Sequence, residues 1–298
     1  ASAKKLSKRS FPSENMASEP QLKVKNIIKG FNTEILSGLS FEVGTDEIVA
    51  LLGPSGCGKT TTLRCIAGVE SPDSGEITID GQQVEAPGVS KPPDERGIGM
   101  VYQSYAIWPH KTVAENVRFP LKYADHSVPA DDYEDRVDEL LNLVEISDLK
   151  EMPATDLSGG QKQRTALARS LVHDPDLLLL DEPLSNLDRR LRKSMRDELQ
   201  TLQRELGVSM LYVTHDQEEA FHLADRILVM CEGEIVERGT ASKLYQSATS
   251  RSVRWSHWEV AITLLPSVVD RAVRRPAPDF SSSYSMPNSS QNSSFSDS

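Results

Sequence analysis

The chain has few cysteines and no apolar run long enough to cross a bilayer. Its three cysteines, Cys57, Cys65 and Cys231, form no CxxC pair and have no histidine at metal-ligand spacing. Such an odd, unpatterned set fits a reducing compartment better than a disulfide framework. A spanning helix needs roughly 20 apolar residues, whereas the nearest candidate, residues 260–269, is short and broken by Pro266. We therefore expect another chain to supply any membrane-embedded part.

Basic charge is also scarce. Lys and Arg number 33 against 44 Asp and Glu, a net charge of −11, and the acidic excess falls in residues 21–246. Because contacts to nucleic-acid phosphates require clustered Lys and Arg, this balance argues against a nucleic-acid partner. The hydrophobic fraction of 38% in 298 residues allows a sizeable core, in one large domain or two modest ones.

Composition divides the chain into three regions. Residues 1–20 are polar and basic without periodicity, and we expect a flexible segment there; residues 1–15 fit a leader, an added sequence or an upstream extension. Residues 21–246 alternate between strand and helix patterns. Residues 247–298 form an atypical tail, Ser- and Asn-rich from 276 onward, which we expect to be largely disordered.

The middle region predicts a mainly parallel sheet flanked by helices. A helix is predicted at residues 59–67, closed by Gly68, and helical periodicity dominates between residues 113 and 173. This alternation favours an α/β fold with a helical subdomain inserted at about residues 104–173. Strands are predicted at residues 47–52, 76–80, 176–180, 209–213 and 226–230.

A glycine-rich segment lies between a predicted strand and a predicted helix. Residues 53–60 fit the phosphate-binding loop pattern, in the context that this pattern requires. The glycines let backbone N–H groups converge on phosphate oxygens, where Lys59 can also reach and the Thr60 hydroxyl suits Mg²⁺. The alternative is a turn that only connects strand and helix. The predicted ATP-binding residues are Gly53, Pro54, Ser55, Gly56, Cys57, Gly58, Lys59, Thr60 and Thr61.

A buried strand ends in two carboxylates, Asp181 and Glu182. Ligands bind at the carboxyl ends of strands in such sheets, so we expect this pair beside the phosphate-binding loop. Asp181 can hold Mg²⁺ through water, and Glu182 can accept the proton of the attacking water, which contributes about 10²–10⁴-fold to the rate. Such a pair alone is usually a solvated strand end. Next to the loop it indicates a nucleoside triphosphatase.

The sequence Leu-Ser-Gly-Gly-Gln at residues 157–161 narrows the class. It opens a predicted helix with Ser158 as N-cap, and an ordinary capped helix start is the alternative. With this motif the chain resembles the ABC ATPase family from Leu22 to Gln246. The resemblance implies a P-loop cassette with a mainly parallel core sheet, an antiparallel β part and an inserted helical subdomain.

The resemblance assigns roles to four further residues. Gln103 matches the glutamine that touches Mg²⁺ and the attacking water, and His215 matches the switch histidine that contacts the γ-phosphate. With Glu182 they form the expected catalytic set. Asp188 matches the dimer-interface loop, and Phe31 is a candidate for the aromatic that stacks on adenine, or else a core aromatic.

Members of this family sandwich two ATP molecules in a head-to-tail dimer. The resemblance therefore implies that the signature segment of one subunit completes the site formed by the phosphate-binding loop of the other. ATP binding then closes the interface and hydrolysis loosens it. The residues expected to contact ATP in trans are Ser158, Gly159, Gly160 and Gln161.

Residues 102–110, 182–188 and 214–220 resemble the importer branch that serves ferric iron, polyamines or sugars. The resemblance implies a homodimer with a second ATPase subunit, integral membrane permease subunits and, indirectly, a solute-binding protein. It also implies a peripheral location at the cytoplasmic face of the cell membrane. Tyr105 and Trp108 should line the groove that receives a helix of the permease, or else pack the helical subdomain.

The tail departs from this branch, whose members usually continue into a β-rich regulatory domain. Residues 247–298 lack strand alternation, and a truncated or frame-shifted reading is one explanation. Three rival functions are an ABC protein acting on DNA or ribosomes, an exporter ATPase and an inactive cassette. No long coiled-coil insertion or tandem cassette supports the first, the importer phrases disfavour the second, and intact Lys59, Glu182 and His215 argue against the third.

Overall fold

The computed structural model describes residues 19–123 and 128–250, without the side chains of residues 247–250. The predicted flexible segment therefore lies outside the described residues apart from residues 19–20. The predicted tail at residues 247–298 lies outside the described residues except for residues 247–250, which are helical and not disordered.

Eleven strands form two sheets within the described part of the chain. In chain order they are β1 (Leu22–Gly30), β2 (Glu34–Val43), β3 (Ile48–Leu52), β4 (Ser74–Ile79), β5 (Gln82–Ala86), β6 (Val89–Ser90), β7 (Ile98–Val101), β8 (Leu177–Asp181), β9 (Ser209–Thr214), β10 (Arg226–Cys231) and β11 (Glu234–Gly239).

The central sheet has six strands in the order β11-β10-β3-β9-β8-β7. All neighbours pair in parallel except β10 and β11, which form an antiparallel hairpin. Every residue of β3, β8 and β9 is buried. Such continuous apolar runs are typical of parallel strands covered on both faces, as the sequence predicts.

The second sheet is antiparallel, in the order β2-β1-β4-β5-β6. It packs against the central sheet through a cluster that contains Val49 and Leu51 of β3, whereas Ile48, Ala50 and Leu52 face the helices on the other side. The side chains of β3 therefore alternate between two hydrophobic cores, as the period of a strand requires. The mixed α/β class with an antiparallel part is confirmed.

Seven α-helices surround these sheets in the described part of the chain. They are α1 (Lys59–Ala67), α2 (Val113–Arg118), α3 (Tyr133–Leu143), α4 (Gly159–Leu171), α5 (Arg189–Leu206), α6 (Gln217–Leu223) and α7 (Ala241–Ser250). Helix α1 has the predicted bounds and ends at Gly68, whose φ of 74° is the left-handed cap geometry. No described helix is long and apolar enough to span a membrane.

Helices α2, α3 and α4 occupy the predicted helical region. Val137, Leu140 and Leu141 of α3 are fully buried, as their spacing predicts. Helix α4 begins after Ser158, whose side chain accepts a hydrogen bond from the backbone N–H of Gln161, while the Gln161 side chain accepts one from the Ser158 N–H. This capping box confirms the predicted N-cap.

Candidate active site

The phosphate-binding loop leaves the carboxyl end of β3 and enters α1. Gly58 has a φ of 101°, and a Cβ there would lie 2.7 Å from Leu36 Cδ2 and 3.1 Å from the Ile35 carbonyl oxygen. A Cβ on Gly53 would come within 2.4 Å of the Met230 carbonyl oxygen. Glycine is therefore required at both positions, because strands β2 and β10 press directly on the loop.

Lys59 lies inside the curve of this loop and is 4% exposed. Its ammonium donates to the carbonyl oxygens of Gly53 at 2.8 Å and Pro54 at 2.6 Å. These partners are neutral, so the positive charge stays available to an anion at the mouth of the loop. The N-terminus of α1 adds the dipole of a helix start at the same point.

Thr60 and Asp181 meet where α1 faces the end of β8. The Thr60 hydroxyl donates to Asp181 Oδ1 at 3.0 Å. Burial raises the pKa of Asp181, and the neighbouring Glu182 raises it further, against the lowering effect of the Thr60 hydrogen bond. A cation at this edge would favour the ionised carboxylate. The loop and the acidic strand end are thus brought together as the sequence predicts.

Three predicted residues meet here, and two of them contact one carboxylate oxygen of the third. Glu182 Oε2 lies 2.9 Å from His215 Nδ1 and accepts a hydrogen bond of 3.4 Å from Gln103 Nε2. The three come from the ends of different strands: β8, β9 and β7. Glu182 adopts a φ of 44°, an uncommon left-handed conformation for a residue with a side chain. Its backbone N–H is held by the Val213 carbonyl oxygen at 3.0 Å.

The loop after Glu182 joins this cluster through a residue that the sequence did not single out. The Asn186 amide donates to the Gln103 carbonyl oxygen at 2.7 Å. Asp188, predicted at a dimer interface, is exposed and caps α5, where its Oδ1 accepts from the N–H groups of Arg190 and Leu191 at 3.0 Å each. The cap fixes the loop on which any interface role of Asp188 would depend.

The signature segment presents an exposed helix N-terminus. Ser158 and Gly159 are exposed, whereas Gly160 is buried, and a Cβ on Gly160 would lie 2.9 Å from Leu191 Cδ2. The Ser158 and Gln161 side chains bond to each other's backbone. Ser158 and Gly159 thus form an exposed surface at the start of α4 within the described part of the chain, whereas Gln161 is half-buried and Gly160 is buried.

Phe31 lies in the turn between β1 and β2 and is 62% exposed. Its ring faces the Lys29 ammonium, which lies 5.1 Å from the ring centroid. The alternative of a core aromatic is therefore wrong. An exposed ring of this kind can stack on a planar base.

Two buried side chains hold residues 104–112, and sequence reasoning missed both. The Arg169 guanidinium donates to the carbonyl oxygens of Tyr105 and Ala106 at 2.8 and 2.7 Å. The fully buried Asn116 accepts from the Trp108 N–H at 2.8 Å and donates to the Thr112 carbonyl oxygen at 2.9 Å. Tyr105 is only 7% exposed, so its ring packs in the core as the alternative proposed.

A buried carboxylate supports the strand that carries His215. Glu219 is 2% exposed and accepts hydrogen bonds of 2.8 Å from the hydroxyls of Tyr212 and Thr214. Burial raises the pKa of Glu219, and these hydrogen bonds oppose the rise. Glu219 is the second Glu of residues 217–220, and its position could have indicated this contact. From the sequence, these residues were interpreted only as a resemblance to the importer branch.

The comparisons with known proteins agree with this geometry. A family model described as "ABC transporter" matches residues 36–185. The spermidine/putrescine import ATP-binding protein PotA of Thermobifida fusca is 46% identical over 80% of this chain and 62% of its own length. The Fe(3+) ions import ATP-binding protein FbpC of Vibrio cholerae is 46% identical over 76% of this chain and 63% of its own length. The chain thus spans about three-fifths of these curated relatives.

Two solved structures share the fold and the family. The ATP-binding cassette MJ0796, a dimer bound to ADP and phosphate in a post-hydrolysis state, superposes with a TM-score of 0.64 at 28% identity, over 74% of this chain and 98% of its own. The protein cbiO1 of Clostridium perfringens, part of an ABC transporter complex, gives 0.68 at 29% identity, over 80% and 96%. The chain belongs to the ABC transporter family, as a member of its ATP-binding cassettes.

Proposed function

We propose that this chain is the ATP-hydrolysing subunit of an ABC import system, which powers solute transport across a membrane. The observation that carries the proposal is the convergence of Gln103 and His215 on the Glu182 carboxylate, one loop away from Lys59. An inactive cassette would have no need for this arrangement. The arrangement places a carboxylate, oriented by two partners, where a water molecule could attack a phosphate.

The residues of the loop bind and orient the phosphates in this proposal. Backbone N–H groups of residues 55–61 and the Lys59 ammonium hold the phosphate oxygens, and the dipole of α1 adds to the attraction. Phe31 stacks on the adenine ring, a contact worth about 1–3 kcal/mol in comparable cases. Cys57 belongs to the same loop, and its side chain is buried there.

Glu182 acts as the general base toward the attacking water. His215 lies within hydrogen-bond distance of its Oε2, so it can orient the carboxylate and contact the γ-phosphate at the same time. Gln103 donates a hydrogen bond to the same carboxylate oxygen. General bases of this kind contribute about 10²–10⁴-fold to the rate.

We propose that Mg²⁺ accompanies ATP, held by the Thr60 hydroxyl and by Asp181 and Gln103. The fit is chemical: hydroxyl, carboxylate and amide oxygens are the hard ligands that Mg²⁺ prefers. Mg²⁺ keeps several waters and takes few protein ligands beside phosphates. Bound there, the ion would neutralise charge on the phosphate oxygens.

A second copy of the chain completes each site in the proposal. The start of α4, where exposed Ser158 and Gly159 are followed by Gly160 and Gln161, would cap the γ-phosphate bound to the partner's loop. The loop that ends at Asp188 would lie at the same interface. Ionic groups of ATP are then shared between two subunits, so cleavage of the γ-phosphate weakens the dimer.

The permease subunits would dock on residues 104–110, at the cytoplasmic face of the membrane, and a solute-binding protein would deliver the cargo to them. Trp108 is half-buried, and its ring centroid lies 4.1 Å from the ring centroid of Phe119. It offers an aromatic surface for this docking. The relatives' names favour a polyamine or ferric iron as cargo, and sugar has no support among them.

Uptake measurements in a host that lacks the chain would test this proposal. Cells that express the wild-type chain with its neighbouring transporter genes should accumulate either labelled spermidine and putrescine or labelled ferric iron. Cells with Lys59→Ala should not, because the loop has lost its phosphate ligand. Uptake that continues unchanged with Lys59→Ala would refute the role of ATP, and uptake of neither solute would refute the cargo.

A further inference from the structure

Arg169 is a buried cation without a carboxylate partner. It is 7% exposed, and no ion pair joins it to an acidic residue within the described ranges. Its guanidinium donates to the carbonyl oxygens of Tyr105 and Ala106, and its centre lies 4.9 Å from the centroid of the Trp108 ring. Burying an arginine is costly, so these three contacts need a reason beyond the hydrophobic core.

The two carbonyl oxygens face one guanidinium only because the backbone is unusual there. Tyr105 has a φ of 63° and Ala106 a φ of 49°. Two consecutive residues with side chains in the left-handed region are disfavoured relative to ordinary conformations. The planar guanidinium of Arg169 offers parallel N–H donors to these two oxygens. The resulting hydrogen bonds stabilise the left-handed conformation of Tyr105 and Ala106.

The same arginine lies on the helix that starts with the signature segment. Arg169 and Ser158 are at opposite ends of α4, about 16 Å apart along the helix axis at 1.5 Å per residue. A rigid helix of this length transmits a displacement of one end to the other. Gln103, which touches Glu182, lies just before the left-handed pair.

Asn116 holds the other end of residues 105–112, as Arg169 holds the first, but it forms no hydrogen bond with α4 in the described part of the chain. The Asn116 side chain, on α2, bonds to Trp108 and Thr112. Residues 105–112 are therefore a preformed unit with two attachments, and Arg169 is the polar attachment to the signature helix within the described residues.

We propose that Arg169 is a positioning residue that couples the signature helix α4 to residues 104–110, the docking surface for the membrane subunits. The inference rests on the proposed function, because it takes the start of α4 to move when ATP binds between two copies. Arg169 makes no hydrogen bond to the phosphate-binding loop or to Glu182 within the described residues. It converts a displacement of α4 into a displacement of Trp108.

Trp108 fluorescence in the full chain tests the proposal without any membrane subunit. Trp255→Phe and Trp258→Phe leave Trp108 as the single tryptophan, and Glu182→Gln in the same chain prevents turnover. Addition of MgATP should change the Trp108 emission and its quenching by acrylamide. Arg169→Lys keeps the charge but loses the fork, so the amplitude should fall by about fivefold or more, with MgATP affinity retained within about threefold.

Arg136→Lys is the matched control. Arg136 on α3 also donates to backbone carbonyl oxygens at the end of α4, those of Leu171 and Val172 at 3.3 Å each, but it does not contact residues 104–110. It should retain the wild-type amplitude. Equal amplitudes in Arg169→Lys and wild type would overturn the proposal, and so would a wild-type chain that binds MgATP without a Trp108 response.

Amide hydrogen exchange provides a readout that needs no variant at Arg169. On MgATP binding, exchange at residues 105–108 should slow together with exchange at the first turn of α4. A change at α4 with none at residues 105–108 would overturn the coupling even if Arg169→Lys does not fold. A chain that binds no MgATP at all would instead refute the proposed function, which separates the two failures.

Discussion

Loss of the Arg96 side chain should destabilise the cassette more than any surface charge change. Arg96 is 2% exposed, and its guanidinium donates to Glu85 Oε2 at 2.6 Å and to the carbonyl oxygens of Cys65, Ile66 and Lys91 at 2.8–3.1 Å. It joins the end of the phosphate-loop helix α1 to strand β5 of the antiparallel sheet. Arg96→Leu fills much of the space but leaves the buried Glu85 carboxylate without its cation.

The expected magnitude follows from the burial of this pair. The side chains of Arg96 and Glu85 are 1% and 9% exposed, and removal of one partner of a buried pair costs about 3–5 kcal/mol. For a domain of this size each kcal/mol lowers Tm by roughly 2–4 °C. We therefore expect Tm to drop by about 10 °C in thermal unfolding. Glu85→Gln, which keeps an acceptor oxygen for Arg96 and for the Ser90 hydroxyl, should cost less.

Lys23→Met is the matched control for the loss of a cation. Lys23 pairs with Glu42 at 3.0 Å, but their side chains are 39% and 48% exposed. Surface pairs contribute about 0–1 kcal/mol, so Tm should fall by no more than a few degrees. Similar small losses for Arg96→Leu and Lys23→Met would refute the claim that the buried pair ties helix α1 to strand β5 of the antiparallel sheet.

Three further predictions concern the thiols and the dimer. Cys57 in the loop is buried, and burial raises the pKa of its thiol, so maleimide should label it slowly. The labelled chain should lose ATP binding, prior MgATP should protect it, and Cys57→Ser should resist. Labelled Cys57 protein that still binds ATP would contradict the assigned loop. Burial raises the pKa of Cys65 to about 11, so at pH 8 its alkylation should be about 10²-fold slower than that of a free thiol. The alkylation rate should rise as the pH approaches 11 or when the chain unfolds. Fast labelling of Cys65 in the folded state would contradict its burial. Ser158→Arg mixed with Lys59→Ala should recover ATPase activity, because one heterodimer site keeps both halves intact, whereas no recovery in proven heterodimers would count against sites shared in trans.

The sequence predicted the parts whose residue types carry their own geometry. Glycines at positions 53 and 58 signal a loop on which strands press directly, and the structure places Met230 and Leu36 there. The apolar run before Asp181 reads as a buried strand because both faces are covered. Helix α1 could be bounded in advance, since Gly68 marks its end.

The clamps could not be predicted, because their partners are backbone atoms far away in the sequence. Arg169 meets the carbonyl oxygens of Tyr105 and Ala106, more than sixty positions earlier, and no periodicity connects them. The left-handed conformation of those two residues has no glycine to signal it. Helix α5 was also missed, because its apolar residues Met195, Leu199 and Leu202 lie in a highly charged sequence.

Replacement of Glu182 tests the central claim most directly. Glu182→Gln keeps the side-chain shape but cannot accept the proton of the attacking water, so turnover should fall by about two orders of magnitude or more while MgATP binding persists. The variant should accumulate as an ATP-bound dimer in size-exclusion chromatography. Glu145→Gln, at an exposed position with a φ of 57° similar to that of Glu182, should hydrolyse ATP normally. Near-normal turnover in Glu182→Gln would contradict the assignment of Glu182 as the general base.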